Sequence, residues 1–196
     1  MIGAETPTWI ACLTPPGQAA LATLGLRGPR AWEVLRAVFR PRTGGELPSA
    51  PVAGRFWLGQ LGDEVADEVV VAVKRAEPTP WLEVHGHGGR EVVRFLLDLF
   101  RDRGLQICEW DDFLRQTSDD PLSAAAEIAL TQATTVRTAA ILLDQRNGAL
   151  GKAFDEILAA LDFGDTPAAR EGLAQLARYT EVGQRLTRPW RVAVAG

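Results

Sequence analysis

The chain has 196 residues, 46% of them hydrophobic, and a formal net charge of −4. That is enough apolar material for one good core or two small ones, which excludes a disordered or fibrous protein. The acidic balance argues against a dedicated nucleic-acid-binding surface, because phosphate contacts need a basic excess.

The opening stretch "MIGAETPTWIACLTPPG" has no basic n-region, and its apolar run stops at Pro15-Pro16, so it reads as neither signal peptide nor anchor. No later segment approaches the roughly 20 apolar residues that span a bilayer; no membrane partner and a cytoplasmic location are expected. "WIACL" (Trp9 to Leu13) and "LATLGL" (Leu21 to Leu26) are short β-type runs separated by a Pro-Pro-Gly turn. Pro29 precedes "RAWEVLRAVF", a helix with Trp32, Leu35 and Phe39 on one face, which makes the opening βαβ-like. The Pro- and Gly-rich stretch Pro41 to Gly54 is a surface loop. "RFWLGQL" and "DEVVVAVK" then suit a hairpin, and the all-apolar "VVVAV" suits a central strand. "WLEVHG" is the next strand. Arg90 to Arg103 reads as a helix burying Val92, Val93, Leu96, Leu97 and Phe100, with Gly104 at its end, before the short strand "LQIC".

From about Asp111 strand signals vanish. Ile128, Val136, Ala140, Leu143, Leu150, Phe154, Ile157 and Leu161 fall on a single helical stripe, with Asn147-Gly148 as a point of weakness. "FGDTP" stops this helix, and another begins with Thr166 as N-cap and Pro167 in the first turn, running to about Leu186. "RPWRVAVAG" reads as a parallel-type strand ending in Gly196. The fold class expected is an α+β domain with a mixed sheet (1–110), followed by an all-α region (111–188) and the first strand of a further domain (189–196).

Chemistry-bearing residues are few. Cys12 and Cys108 lie far apart without CxxC spacing and read as small buried hydrophobes in a reducing cytosol. Both histidines fall in "EVHGHGGREVV". His85 and His87 at i and i+2 on a strand can reach one metal ion, but no third histidine or suitably spaced cysteine completes a zinc set. The other reading is a strand-to-helix turn, where Gly86, Gly88 and Gly89 allow positive φ and close backbone approach, and free N–H groups face a ligand or a neighbouring loop. Glu83 is either a solvent-facing strand residue or a carboxylate that accepts paired N–H donors. No catalytic residue and no metal site are assigned.

Several segments, in order, resemble the MnmE/TrmE family of tRNA-modification GTPases. "TPPGQAALATLGLRGP" is similar to that family's Thr-Pro-Pro-Gly turn and strand ending in Ser-Gly-Pro. "LEVHGHGG" matches Leu-Glu-Leu-x-x-His-Gly-Gly, "RNGALGKAF" resembles its Gln-Gly-Ala helix, and "RVAVAG" looks like the strand entering its phosphate loop. The resemblance implies an N-terminal folate-binding domain that forms a homodimer, and the first part of a helical domain into which the GTPase domain is inserted. It implies a role in tRNA wobble-uridine modification with a flavoprotein partner, the tRNA being met indirectly. It places 5-formyltetrahydrofolate or a related folate at Glu83, Arg27, His87, Gly88 and Gly89, and nucleotide at Gly196. GTP, magnesium and potassium belong to a G domain of which the chain holds only this first glycine. Two departures stand out. Gly25 occupies the place of the family's folate-contacting arginine, with Arg27 displaced by two, and "EWDDFLRQTSDDPLSA" keeps Phe113 and Asp112 but no lysine that approaches folate. These departures motivate the alternative of a dimerising scaffold without folate chemistry.

Overall fold

A computed structural model describes residues 6–17, 19–188 and 190–195; Gly196 lies outside them. Contacts divide the chain into two units, Met1–Thr117 and Ser118–Gly196. The division falls seven residues beyond the 110/111 boundary read from the sequence. A short helix after the last strand joins the first unit, because its Phe113 is fully buried there.

The first unit is built on a seven-stranded mixed sheet. Its strands are β1 (Trp9–Cys12), β2 (Leu21–Arg27), β3 (Phe39–Pro41), β4 (Phe56–Gly62), β5 (Ala66–Arg75), β6 (Trp81–His87) and β7 (Gln106–Ile107). They lie in the order β3-β4-β5-β6-β2-β1-β7. Every pairing is antiparallel except β1 with β7. The opening is therefore an antiparallel β1–β2 pair and not a βαβ unit, since the short Thr-Pro-Pro-Gly connection can reverse the chain but cannot carry a crossover. The all-apolar run of β5 lies inside the sheet, with Val69, Val71 and Val73 buried.

Alternation decides which side is the core. Ile10, Leu24, Leu26, Val69, Val71, Leu82 and Val84 point to one face, where α1 (Ala31–Val38) and α2 (Arg90–Arg101) cover them. Leu35, Leu96 and Phe100 are almost wholly buried there, each contributing roughly 1.5–3 kcal/mol of transfer free energy. Trp32 closes this layer, tilted against Trp57 at 5.7 Å between ring centres and donating its indole N–H to the Pro48 carbonyl at 3.1 Å. The other face is covered only in part. There α3 (Trp110–Thr117) lies over β1 and β2 through Phe113, while Leu21, Phe56 and Leu58 stay exposed.

Among the described residues the regular structure of the second unit is all helical: α4 (Pro121–Thr131), α5 (Val136–Arg146), α6 (Ala149–Asp162), α7 (Thr166–Arg178) and α8 (Thr180–Arg185). The single long stripe is broken twice. Between α4 and α5, Thr135 accepts from the Thr138 N–H and starts a new helix, leaving Val136 89% exposed rather than in the stripe. At the second break Gly148 takes a left-handed conformation (φ 94°) that an L side chain resists. Asp165, not Thr166, caps α7, accepting from the Ala168 N–H at 3.0 Å. Residues 191–195 form no strand, and among the described residues none pairs with them; a β-strand needs a neighbour for its N–H and C=O groups. Replacing Thr135 by alanine is expected to lower the stability of this unit by about 1 kcal/mol. Urea denaturation checks this, and an unchanged midpoint refutes the cap's role.

Candidate functional site

Directly paired residues of neighbouring strands project to the same side, so register writes the partly covered face as a set of rows. Trp9, Arg27, Trp81 and Arg75 make one row across β1, β2, β6 and β5. Ala11, Gly25, Glu83 and Ala72 make the next, and Thr23, His85 and Val70 the third. The Arg27 guanidinium lies 5.6 Å from the centre of the Trp81 ring and the residue is 8% exposed. A weakly hydrated guanidinium over an indole face tolerates that burial.

Glu83 sits one row further along with only 17% of its side chain exposed. Its Oε2 faces Lys74 Nζ at 3.6 Å and His85 Nε2 at 3.4 Å. The Lys74 contact depends on an irregularity: the β5–β6 register shifts between Val73 and Arg75, and the extra residue is the lysine, re-aimed as bulges re-aim side chains. His85 Nδ1 in turn lies 2.9 Å from the Thr23 hydroxyl on β2. Glu83 is thus neither a solvent-facing strand residue nor an isolated buried charge. It is a largely enclosed acceptor whose neighbours are a cation, an imidazole and, one row away, an arginine on tryptophan.

The place of the family's arginine has a different occupant. A Cβ on Gly25 would lie 2.9 Å from Leu13 Cδ1 and 3.0 Å from two carbons of the Phe113 ring. No side chain fits there unless those two move. Because side chains alternate along a strand, Arg27 shares the face of Gly25 but stands one pleat away, about 7 Å along β2. The face is therefore uneven: Glu83 offers a carboxylate acceptor, and the space beside its cross-strand partner Gly25 is filled by apolar atoms.

The remaining expected folate positions lie elsewhere. The His87 ring is held through Nδ1 by Asp67, whose other carboxylate oxygen accepts the His87 backbone N–H at 3.0 Å. Gly86, Gly88 and Gly89 do not adopt positive φ. Two of them serve close approach instead, a Cβ on Gly86 meeting Asp67 Oδ2 at 2.7 Å and one on Gly88 meeting the backbone of Ala19. Gly88, Gly89 and Arg90 line a cavity of about 740 Å³ against Thr14-Pro15-Pro16-Gly17 and Cys12. It opens on the α2 side of the sheet, as Ala22 and Val93 in its wall show. The structure brings Glu83 and Arg27 together and sets Gly88 and Gly89 apart from them. Position along the chain explains the difference: Glu83 lies within β6, whereas Gly88 and Gly89 lie beyond its end, where the chain turns into α2.

The two histidines, held by different partners, do not converge on one point, and no group of three potential metal-binding side chains occurs among the described residues. Both cysteines are half-buried. Burial, with Asp112, Glu109 and Asp111 nearby, pushes the Cys108 thiol up to about 11, and burial also raises Cys12; neither is a ready nucleophile at neutral pH. Sequence reading missed Thr23, Lys74 and Trp81. The period-2 pattern places Trp81, Glu83 and His85 on one face of β6, and Thr23 with Arg27 on one face of β2. Which residue stands opposite which is a property of the pairing alone.

Over 96% of its length the chain is 30% identical to the tRNA modification GTPase MnmE of Thermotoga maritima, of which it covers 45%. It is 29% identical over 97% of its length to the MnmE of Caulobacter vibrioides, covering 49% of that protein, and 30% identical over 79% to the MnmE of Geobacter sulfurreducens, covering 36%. The chain thus spans less than half the length of these curated relatives. No protein-family model matches it. No helix among the described residues is long and apolar enough to cross a membrane.

Proposed function

Because this chain is a divergent member of the MnmE family, we propose that it provides the N-terminal dimerising and ligand-binding part of a tRNA wobble-uridine-modifying GTPase, with a reduced folate as ligand. The observation that supports the ligand is Glu83: a largely enclosed carboxylate on an otherwise open sheet face, bordered by Lys74, His85 and the Arg27–Trp81 row. Such a carboxylate can accept from the N–H groups of a pterin ring. The folate, when bound, would supply a one-carbon unit; this chain's residues orient and enclose it. On this reading GTP, magnesium and potassium are handled by a G domain entered at Gly196, and the flavoprotein partner and tRNA are met by the assembled protein. Titration calorimetry with 5-formyltetrahydrofolate is expected to give saturable heat, weakened about tenfold or more by Glu83→Gln. Absence of heat at high micromolar ligand removes the folate.

A second reading rests on Gly25, whose surroundings are filled by Leu13 and Phe113. In it the domain is a dimerisation and interaction scaffold without folate chemistry. Sedimentation showing a dimer, together with no folate heat, selects it.

A further inference from the structure

Thr23, His85 and Glu83 form a chain of polar contacts across the β2–β6 pair, and its proton arrangement follows from the partners. A carboxylate only accepts, and a neutral imidazole has one N–H and one lone pair. With Glu83 Oε2 facing Nε2 at 3.4 Å, the hydrogen belongs on Nε2. Nδ1 then accepts from the Thr23 hydroxyl at 2.9 Å, which can turn to donate.

We propose that His85 is a positioning residue for Glu83: fixed by Thr23 as the Nε2–H tautomer, it holds the carboxylate in the orientation in which a ligand's N–H groups meet it. The inference rests on the reading of Glu83 as the acceptor of the folate site. Lys74 reaches the same oxygen, but its ammonium is a point charge on a flexible stem and sets no direction. The imidazole is a rigid ring anchored on the strand that carries Glu83, two residues on, and tied to the next strand through a direct cross-strand partner. His87 has no part in this chain, being held by Asp67.

Long-range proton–nitrogen NMR on the histidine-labelled chain reads the tautomer directly at about pH 8, where free imidazole is neutral. Only two rings contribute, and His85→Gln identifies which is which. His85 is expected as the Nε2–H tautomer, shifting towards a mixture in Thr23→Val, and the Glu83 side-chain carboxyl carbon is expected to move in His85→Ala while the amide resonances of the sheet stay in place. A wild-type ring already mixed between tautomers, or a Glu83 resonance indifferent to His85→Ala, overturns the proposal. In calorimetry with 5-formyltetrahydrofolate, His85→Ala is expected to bind about tenfold more weakly. His85→Gln, whose amide both donates and accepts, is expected to recover most of the loss. Unchanged affinity in His85→Ala also overturns the proposal, whereas a wild type that gives the expected NMR signature and no heat rejects the folate reading alone.

Discussion

Replacing Phe113 by alanine is expected to lower the unfolding free energy of the sheet unit by about 3–5 kcal/mol. The ring is wholly buried, and it is what α3 sets against β1 and β2. At eight residues α3 is too short to persist on its own hydrogen bonds, so its helicity depends on packing. The Thr117 hydroxyl donates back to the Phe113 carbonyl at 2.6 Å, which ties the last turn to the same residue. Removing the ring leaves a void above Gly25 that Leu13 alone cannot fill. Urea denaturation measures the loss, and a change below about 1 kcal/mol would show that α3 does not depend on the ring.

The same ring decides what can stand at residue 25. Gly25→Arg in the wild-type background is expected to destabilise, by about 1–3 kcal/mol, because its Cβ already collides with Leu13 and Phe113. Combined with Phe113→Ala, the two costs are expected not to add, since the smaller side chain vacates the space the larger one needs. Full additivity would mean that arginine leaves the face by another route. This coupling tests whether the Phe113 ring, together with Leu13, is what keeps a larger side chain out of residue 25.

Much of the sheet was legible because its longer strands carry an alternation or an apolar run that a period of two explains, and α2 carries its own stripe ending near Gly104; the three-residue β3 was not, because Phe39 continues the apolar face of the preceding helix in the sequence while the chain is already extended there. The helical unit was less so. The shared stripe from Ile128 to Leu161 carries one weak point in the sequence, Asn147-Gly148, and the chain does break there; Thr135 resets the phase a second time, because a local cap outweighs periodicity once the chain turns. At the candidate site, Glu83 and Arg27 could be named through the resemblance of "LEVHGHGG" and "TPPGQAALATLGLRGP" to the family pattern, and both lie within strands. Their separation from Gly88 and Gly89 could not, because where β6 ends and the chain turns into α2 depends on the remote Ala19–Ala20 backbone against which Gly88 packs. His85 and His87 show the limit most plainly. Their i, i+2 spacing suggests one shared site, and Asp67, 20 residues upstream of His87, draws the second ring to itself.

Gly88→Ala is expected to cost about 2–4 kcal/mol, while Gly89→Ser stays within about 0.5 kcal/mol of wild type. Neither glycine adopts a backbone that an L residue avoids: both are absent from the positive-φ positions, and Gly89 is extended at φ −65° and ψ 135°. What differs is the space. A Cβ on Gly88 would fall inside the van der Waals envelope of the Ala19 carbonyl oxygen and 2.7 Å from its carbonyl carbon. These are backbone atoms, so no change of rotamer relieves the contact. The neighbouring hydrogen bond from the Gly88 N–H to the Ala20 carbonyl, at 3.0 Å, holds the two segments together, so relief means breaking it or moving the Thr-Pro-Pro-Gly connection. A Cβ on Gly89 meets only Val92 Cγ2 at 3.6 Å, and a serine there can cap α2, whose first turn has no side-chain cap. Thermal and urea denaturation of the two variants side by side checks the contrast. Equal tolerance would show that the connection yields freely, and with it the wall of the cavity that Gly88, Gly89 and Thr14 to Gly17 enclose.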